Sequence, residues 1–475
     1  MKERIIKFNK ILNNKSYNNT IKSISLLHQI KLHKHYLQKK INFFYFIKKI
    51  IKLFKTFFFL NPFIFLKNIN TEEKKFFNRK IIIVSHFLNL NQIKNKNDLY
   101  LNRLEGILKD KNKTYLKCLI NHTNNNSVDL NKLIKDKNTY ILKNYLKIGE
   151  ELKIFFERIF CIFNLISIAL KKEINFKILI NLIISLFDSE TTASLKISSE
   201  IKKIIKKVKP KYIIFTYEGF SWERMLVNST KQIDKKIKCI GYQHTVINKN
   251  YRAVFECLKG YYNPDIIWSS NSTSKKMLDK YYKNKKTKII FSGNLKDTTL
   301  KTNLKKQNKN SFLILPEGMK NEVHVLFSFA YKCAQKFKNF KFIWRVHPVI
   351  NPKLIYKNFQ MNKETFPKNL ILSKNKFIED VKKTNYVIYR GSTAVLIPII
   401  SGSYPIYYDL TNDYNFDPVA SFFKKKNYVR DENELLNFVK KVNFKKLHTS
   451  KNMLKKIKNN FFSKPEKNQI LNSIK

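Results

Sequence analysis

Between residues 208 and 295 one pattern recurs four times, as YIIFTYEG, IKCIGYQH, PDIIWSSN and KIIFSGN. Each is a short, mainly apolar run closed by small or polar residues, and helix-length segments separate them. Runs this short, rich in Ile and Phe and apolar throughout, suit strands covered on both faces, the condition of parallel strands in βαβ units. After KDTTLKTNLKKQNKN at 296–310, which has almost no apolar content, the pattern restarts as SFLILPEG, FKFIWRVHP, NLILSKN, NYVIYRGS and YPIYYD. No internal sequence repeat links the two series. The fold class expected is α/β: two Rossmann-like domains facing a central cleft, with added N-terminal and mid-chain helices.

A chain of 475 residues is too long for one ordinary core, which agrees with two domains. Residues 1–75 read as a basic, partly amphipathic extension. Residues 76–295 read as the first Rossmann-like domain, opening with the strands KIIIVSHF and YLKCLINHT and carrying a helical insertion at about 150–205. A linker at 296–310, the second domain at 311–430 and a Lys-rich helical tail at 431–475 complete the division.

Two regions bear on membranes. In INFFYFIKKIIKLFKTFFFLNPFIFLK, residues 41–67, Lys48, Lys52 and Lys55 recur at helical spacing while Phe46, Ile50 and Phe54 populate other faces. Such a basic amphipathic stretch suits either a membrane interface or packing on a domain, and its lysines argue against spanning. The apolar runs IFFERIFCIFNLISIAL and FKILINLIISLF are broken by Glu157 and Arg158 or too short to cross, so they read as packed helices, one face of which could meet a lipid-linked molecule.

The charge balance is extreme, with 93 Lys and Arg against 34 Asp and Glu. Such a field could hold nucleic acid or an anionic membrane. Lys, Asn, Ile, Phe and Tyr are abundant together, however, which is the bias of A- and T-rich codons, and no RRM, KH or zinc-finger pattern supports nucleic-acid binding. The five cysteines show no C-x-x-C pair and no His partners at zinc spacing. The start, MKERIIKFNK, lacks the order of a signal peptide, so a cytoplasmic protein, in peripheral contact with the inner membrane face if the amphipathic stretch binds it, is expected.

In open α/β sheets ligands bind beyond the carboxyl ends of the strands. Five glycines fall at such points, Gly219, Gly241, Gly293, Gly318 and Gly391, where a turn near a phosphate needs positive φ or close backbone approach. FKFIWRVHPVI places Arg345, His347 and Pro348 directly after an apolar run, a cation and an imidazole able to meet a phosphate. LILPEG adds Glu317 and Gly318 at another strand end. In YRGSTAVL, Arg390 and Gly391 precede Ser392 and Thr393, where a helix start would aim amides and hydroxyls at an anion. In TYEGFSWE, Glu218 stands where a general base would, followed by Gly219, with Glu223 suited to scaffolding or substrate positioning. No P-loop, no G-x-G-x-x-G and no Asp-x-Asp occurs, so a dinucleotide cofactor and a metal site on a sugar nucleotide are unsupported.

The stretches LILPEG, FIWRVHP and VIYRGSTAVL resemble GT-B glycosyltransferases of bacterial surface-polysaccharide synthesis, especially the sialyltransferases and Kdo transferases that use CMP-activated sugars. The likeness covers roughly residues 80–430. It implies that His347 with Pro348 and Ser392 with Thr393 bind the donor nucleotide, and that Glu218 with Gly219 carries the base. This chain departs in having Tyr217 where the family's triplet has a second acid, so His244 in GYQH and Glu105 in LNRLEG stand as alternative bases. The resemblance implies an inverting, metal-independent transfer from a nucleotide-sugar donor, with no cofactor, to a glycan or lipid-linked glycan acceptor. Transfer of glycerol phosphate from CDP-glycerol is the alternative on the same scaffold.

Overall fold

The structure, a computed structural model, describes residues 2–29, 79–94, 97–123, 125–143, 146–296, 310–347, 350, 366–411, 414–423, 427–441 and 451–475. The amphipathic stretch at 41–67, all but the two ends of the expected linker, and Pro348 lie outside them.

Seven strands, β1 (Ile81–Phe87), β2 (Tyr115–Asn121), β3 (Thr139–Ile141), β4 (Tyr212–Thr216), β5 (Lys238–Gln243), β6 (Ile266–Ser269) and β7 (Lys288–Phe291), form one sheet in the order β3-β2-β1-β4-β5-β6-β7. Six more, β8 (Ser311–Leu315), β9 (Lys341–Trp344), β10 (Leu370–Leu372), β11 (Tyr386–Tyr389), β12 (Tyr404–Tyr408) and β13 (Tyr428–Val429), form a second in the order β10-β9-β8-β11-β12-β13. Every pairing is parallel. Counted from its own first strand, each sheet runs 3-2-1-4-5-6, the Rossmann order, and the first adds a seventh strand at its edge. The fold class is the one expected, two Rossmann-like α/β units.

Both faces of each sheet are covered, which is why the strands read as unbroken apolar runs. Along β1, Ile82 and Val84 enter one layer with Ile201 and Ile205 of the Ser189–Val208 helix. Ile81 and Ile83 enter the other with Leu104 and Leu108 of the Asn102–Lys109 helix. The chain end returns to this second layer: Ile470 and Ile474 pack there, and the Trp268 indole N–H donates to Ser473 Oγ at 3.0 Å. In the second sheet Phe312 and Ile314 face one layer, Leu313 and Leu315 the other.

Between β3 and β4 the chain forms three helices, Ile148–Leu170, Phe176–Leu186 and Ser189–Val208. Cys161, Leu165, Leu182 and Leu186 make a separate core with Phe8, Ile11 and Leu12 of the Lys2–Asn13 helix. No single described helix is long and apolar enough to cross a membrane; the pair Phe176–Leu186 and Ser189–Val208, bent by 51°, reaches that length and composition together.

The carboxyl edges of the two sheets meet. Past β5, the Asn250 side-chain amide donates to the Asn415 carbonyl at 2.6 Å, and the rings of Tyr251 and Phe416 lie 6.4 Å apart. Val246, from the same loop, joins the apolar layer of the second unit that holds Val395 and Leu396, just past β11.

Candidate functional site

The exits of β1, β2, β4 and β5 bring together residues far apart in the chain. His86, on β1, has Nδ1 2.8 Å from Nε2 of His122, just past β2, and Nε2 2.8 Å from Thr216 Oγ1 at the end of β4. Its ring stands edge-on to Tyr100 and Trp222, with centroids 5.1 and 5.6 Å apart. Tyr100 in turn meets His244, past β5, at 4.7 Å, and the Lys296 ammonium lies 5.2 Å from the Tyr100 ring. Buried Asp98 fixes Tyr100, taking its backbone N–H at 2.8 Å and the Ser85 hydroxyl at 2.9 Å.

Glu218 belongs to this cluster electrostatically. Burial lowers the Lys296 ammonium to about 8, with the Glu218 carboxylate opposing that fall. Burial, then the charges of Glu218 and Asp98, raise the Tyr100 phenol to about 12. Burial lowers His86 to about 3 and His122 below its usual value. It takes His244 well below the imidazole range, with Lys296 and His86 adding to the effect. Burial thus disfavours the charged imidazolium at all three rings, which stand beside a carboxylate and an ammonium.

The turn that presents Glu218 is held from beneath. Gly219 has φ +89°, and a Cβ there would stand 2.5 Å from the Ala253 carbonyl carbon. Glu223, four residues on, accepts the backbone N–H groups of Gly219 at 2.7 Å, Phe220 at 2.8 Å and Glu218 at 2.9 Å. The Arg224 guanidinium donates to the carbonyls of Ala253 at 2.7 Å and Glu256 at 2.6 Å, and to Asn263 Oδ1 at 2.5 Å. This clamps the 253–263 loop onto the turn. Of the five glycines singled out in the sequence, only Gly219 and Gly293 have positive φ; Gly241 instead makes a close approach, its hypothetical Cβ 2.7 Å from that of Tyr217.

Across the interface, the exits of β8 and β9 bring Glu317 and His347 together: burial lowers the imidazole and the Glu317 carboxylate opposes. Arg345 Nη1 donates to Asp380 Oδ2 at 2.7 Å and to the Asn375 carbonyl at 2.9 Å, and the guanidinium lies over Phe377. Its side chain keeps 27% exposure while Asp380 is fully buried, so an edge of an already matched cation faces solvent.

Four of the expected positions have local surroundings of their own. Arg390 is 2% exposed and pairs at 2.7 Å with Glu322, itself 1% exposed, so its charge is spent inside the second unit. Glu223 is buried under its own turn and accepts the backbone amides of Glu218, Gly219 and Phe220, which is a scaffolding role. Glu105 pairs with Lys117 at 2.7 Å and accepts from Tyr115 at 3.0 Å; both partners lie near the amino end of β2, opposite the edge where the histidines gather. Past Gly391, Ser392 starts only a 3-10 turn, Thr393–Val395, and a five-residue helix, Leu396–Ile400, without a side-chain cap, so the helix start expected as an anion site is reduced to one short turn.

His86, His122, Tyr100 and Lys296 escaped the sequence reading. The signal for two of them was present: SHF and NHT place a histidine at a strand's carboxyl end as GYQH and RVHP do. Among the described residues, no group of three or more His, Cys, Asp or Glu is arranged to hold a metal.

No family model matches this chain, and no curated protein does. Solved structures similar in fold include the UDP-GlcNAc 2-epimerase of Methanocaldococcus jannaschii in complex with UDP-GlcNAc and UDP, at 13% identity, covering 83% of this chain and 98% of that one with a TM-score of 0.49. The UDP-GlcNAc 2-epimerase of Neisseria meningitidis follows at 12% identity, with coverages of 83% and 98% and a TM-score of 0.43. MurG of Acinetobacter baumannii shows 9% identity, the same coverages and a TM-score of 0.40. At these values the likeness is to the architecture and carries no chemistry to this chain.

Proposed function

We propose that the chain is an inverting, metal-independent glycosyltransferase that takes its sugar from a nucleotide donor, of the CMP-sugar class by the motifs around His347 and Ser392. The observation that carries the reading is the meeting of two Rossmann carboxyl edges. One edge offers Glu218 beside Lys296 and three imidazoles, the other His347 beside Glu317.

In this reading Glu218 takes the proton of the acceptor hydroxyl, whose oxygen attacks the anomeric carbon in line. The bond from that carbon to the phosphate oxygen breaks, and its electron pair leaves with the nucleotide. His347 donates a hydrogen bond to the departing phosphate, joined by the open edge of Arg345 and the amides of the Gly391–Thr393 turn. His244, whose ring meets Tyr100 in the same cluster, is the alternative base to exclude.

The test is a thermal-shift comparison of CMP, CDP, UDP and GDP with the purified chain, followed by donor turnover. A ligand at a hundredfold excess over its Kd adds about 2.7 kcal/mol of apparent stability. CMP is expected to raise Tm most, His347→Ala to remove that rise, and Glu218→Gln to keep the rise but lose about 10²–10⁴ in kcat. Selective stabilisation by UDP would transfer the reading to a different donor class. No response to any nucleotide would end it.

A further inference from the structure

We propose that the Ile148–Leu170 helix docks on an anionic lipid bilayer through an apolar stripe on its outer face. The helix is apolar on two sides. Ile154, Cys161, Leu165 and Ile168 point inward and are buried, the last three of them in the core shared with the Lys2–Asn13 helix. Leu152, Phe156, Phe160, Phe163, Ile166 and Leu170 recur at intervals of three and four on the opposite side, and their exposure runs from 37% at Leu152 to 78% at Leu170. At 1.5 Å per residue that stripe is about 27 Å long. A helix apolar all round is one covered all round, and single exposed apolar residues need no account whereas a contiguous face does.

The charges beside the stripe select the occupant. The acidic residues of this region are taken up within the fold: Glu150 pairs with Lys203, Glu151 with Lys196 at 2.6 Å, and Glu173 with Lys10 at 3.6 Å, while Glu157 accepts from the Thr20 hydroxyl at 3.1 Å. Lys147 and Lys153 near one end and Lys171, Lys172 and Lys177 at the other are exposed. An apolar stripe flanked by lysines fits the boundary between acyl chains and anionic headgroups, each lysine near such a surface adding attraction. A second copy of the chain fits poorly, since antiparallel pairing of two such helices would set lysines against lysines. The helix begins six residues beyond Leu142, which follows β3.

The experiment is flotation of the purified full-length chain with vesicles of phosphatidylcholine alone and of phosphatidylcholine with about one third phosphatidylglycerol, at low and high salt. The wild type is expected to float with the anionic vesicles and to be released by salt. Phe156→Ser/Phe160→Ser/Phe163→Ser is expected to weaken that binding at least about tenfold, since each phenyl group removed from apolar surroundings costs binding. Because these side chains face outward, its circular dichroism and Tm should match the wild type; Ile166→Ser/Leu170→Ser is a second variant of the same face should the first fold poorly. Lys171→Glu/Lys172→Glu should weaken binding to anionic vesicles only. Wild-type flotation by both serine variants would overturn the proposal and place any membrane contact elsewhere in the chain. A wild-type dimer in size-exclusion chromatography that the serine variants dissolve would overturn it in favour of a second copy. Retention by the wild type on neither vesicle type would overturn it in favour of a protein partner.

Discussion

Nδ1 of His86 and Nε2 of His122 stand 2.8 Å apart, so one ring must donate to the other and each fixes its neighbour's tautomer. The second nitrogen of His86 is tied to the Thr216 hydroxyl, which lies two residues before Glu218 on the same strand exit. The pair thus links β1, β2 and β4 at their carboxyl ends, and links the proposed base to a histidine that reaches solvent.

Burial of His86 makes stability depend on pH. His86 is lowered to about 3 in the folded chain against about 6.5 for the imidazole when unfolded. Between those values the unfolded state binds more protons, so stability is full above pH 6.5 and falls as pH drops toward 3. Urea midpoints measured from pH 7 to pH 4.5 should decline, and His86→Gln should flatten part of the decline. An unchanged slope in the variant would show that other groups govern acid unfolding.

Lys296 gives a second pH dependence, on the alkaline side. Its ammonium, lowered to about 8 by burial, sits by Glu218 and Tyr100. If the cation balances the carboxylate during transfer, kcat/KM falls as pH rises through 8. Lys296→Arg, whose charge persists to much higher pH, should move that limb upward. Stability runs the other way: the folded lysine loses its proton before the unfolded one, so stability rises between about pH 8 and the unfolded lysine value near 10.4. A pH–rate profile with no alkaline limb near 8 would remove Lys296 from the mechanism.

What was readable in the sequence divides along physical lines. Strands buried on both faces, such as β4 and β8, announce themselves as unbroken apolar runs, and the two series of runs implied two sheets. β3 and β13, of three and two residues, are too short to bear any pattern and take their conformation from their neighbours. Glu218 and His347 stood out because each occupies a strand exit. Lys296 did not, because in a chain with 93 Lys and Arg one lysine carries no signal. The partner of Arg390 was invisible for another reason: Glu322 lies 68 residues earlier, and only the fold of the second sheet joins them.

Arg390 accordingly predicts a stability effect rather than a substrate effect. Removing one member of a buried ion pair strands the other charge, at a cost of about 3–5 kcal/mol, whereas removing both with apolar replacements is often near neutral. Arg390→Met should therefore lower the urea midpoint sharply, and Arg390→Met/Glu322→Met should restore most of the loss. If Arg390→Met instead leaves stability intact and raises only the donor KM, the guanidinium serves the nucleotide after all.

Gly219→Ala tests whether the turn under Glu218 is as confined as its geometry requires. The left-handed φ of +89° disfavours any Cβ, and here the new atom would meet the Ala253 carbonyl carbon at 2.5 Å, inside contact distance of a backbone group. The 253–263 loop cannot yield easily, because Arg224 holds two of its carbonyls and Asn263 at once. Strain and overlap together should cost at least about 2 kcal/mol. If the chain relieves them by shifting the turn, Glu218 moves, and a displacement of about 1 Å at a reacting group is worth about 10² in rate. Activity should thus fall further than stability accounts for, measured as kcat at a temperature where circular dichroism shows the variant fully folded. A Gly219→Ala enzyme with normal kcat would mean that the position of Glu218 is not set by this turn, and would point to His244 as the base.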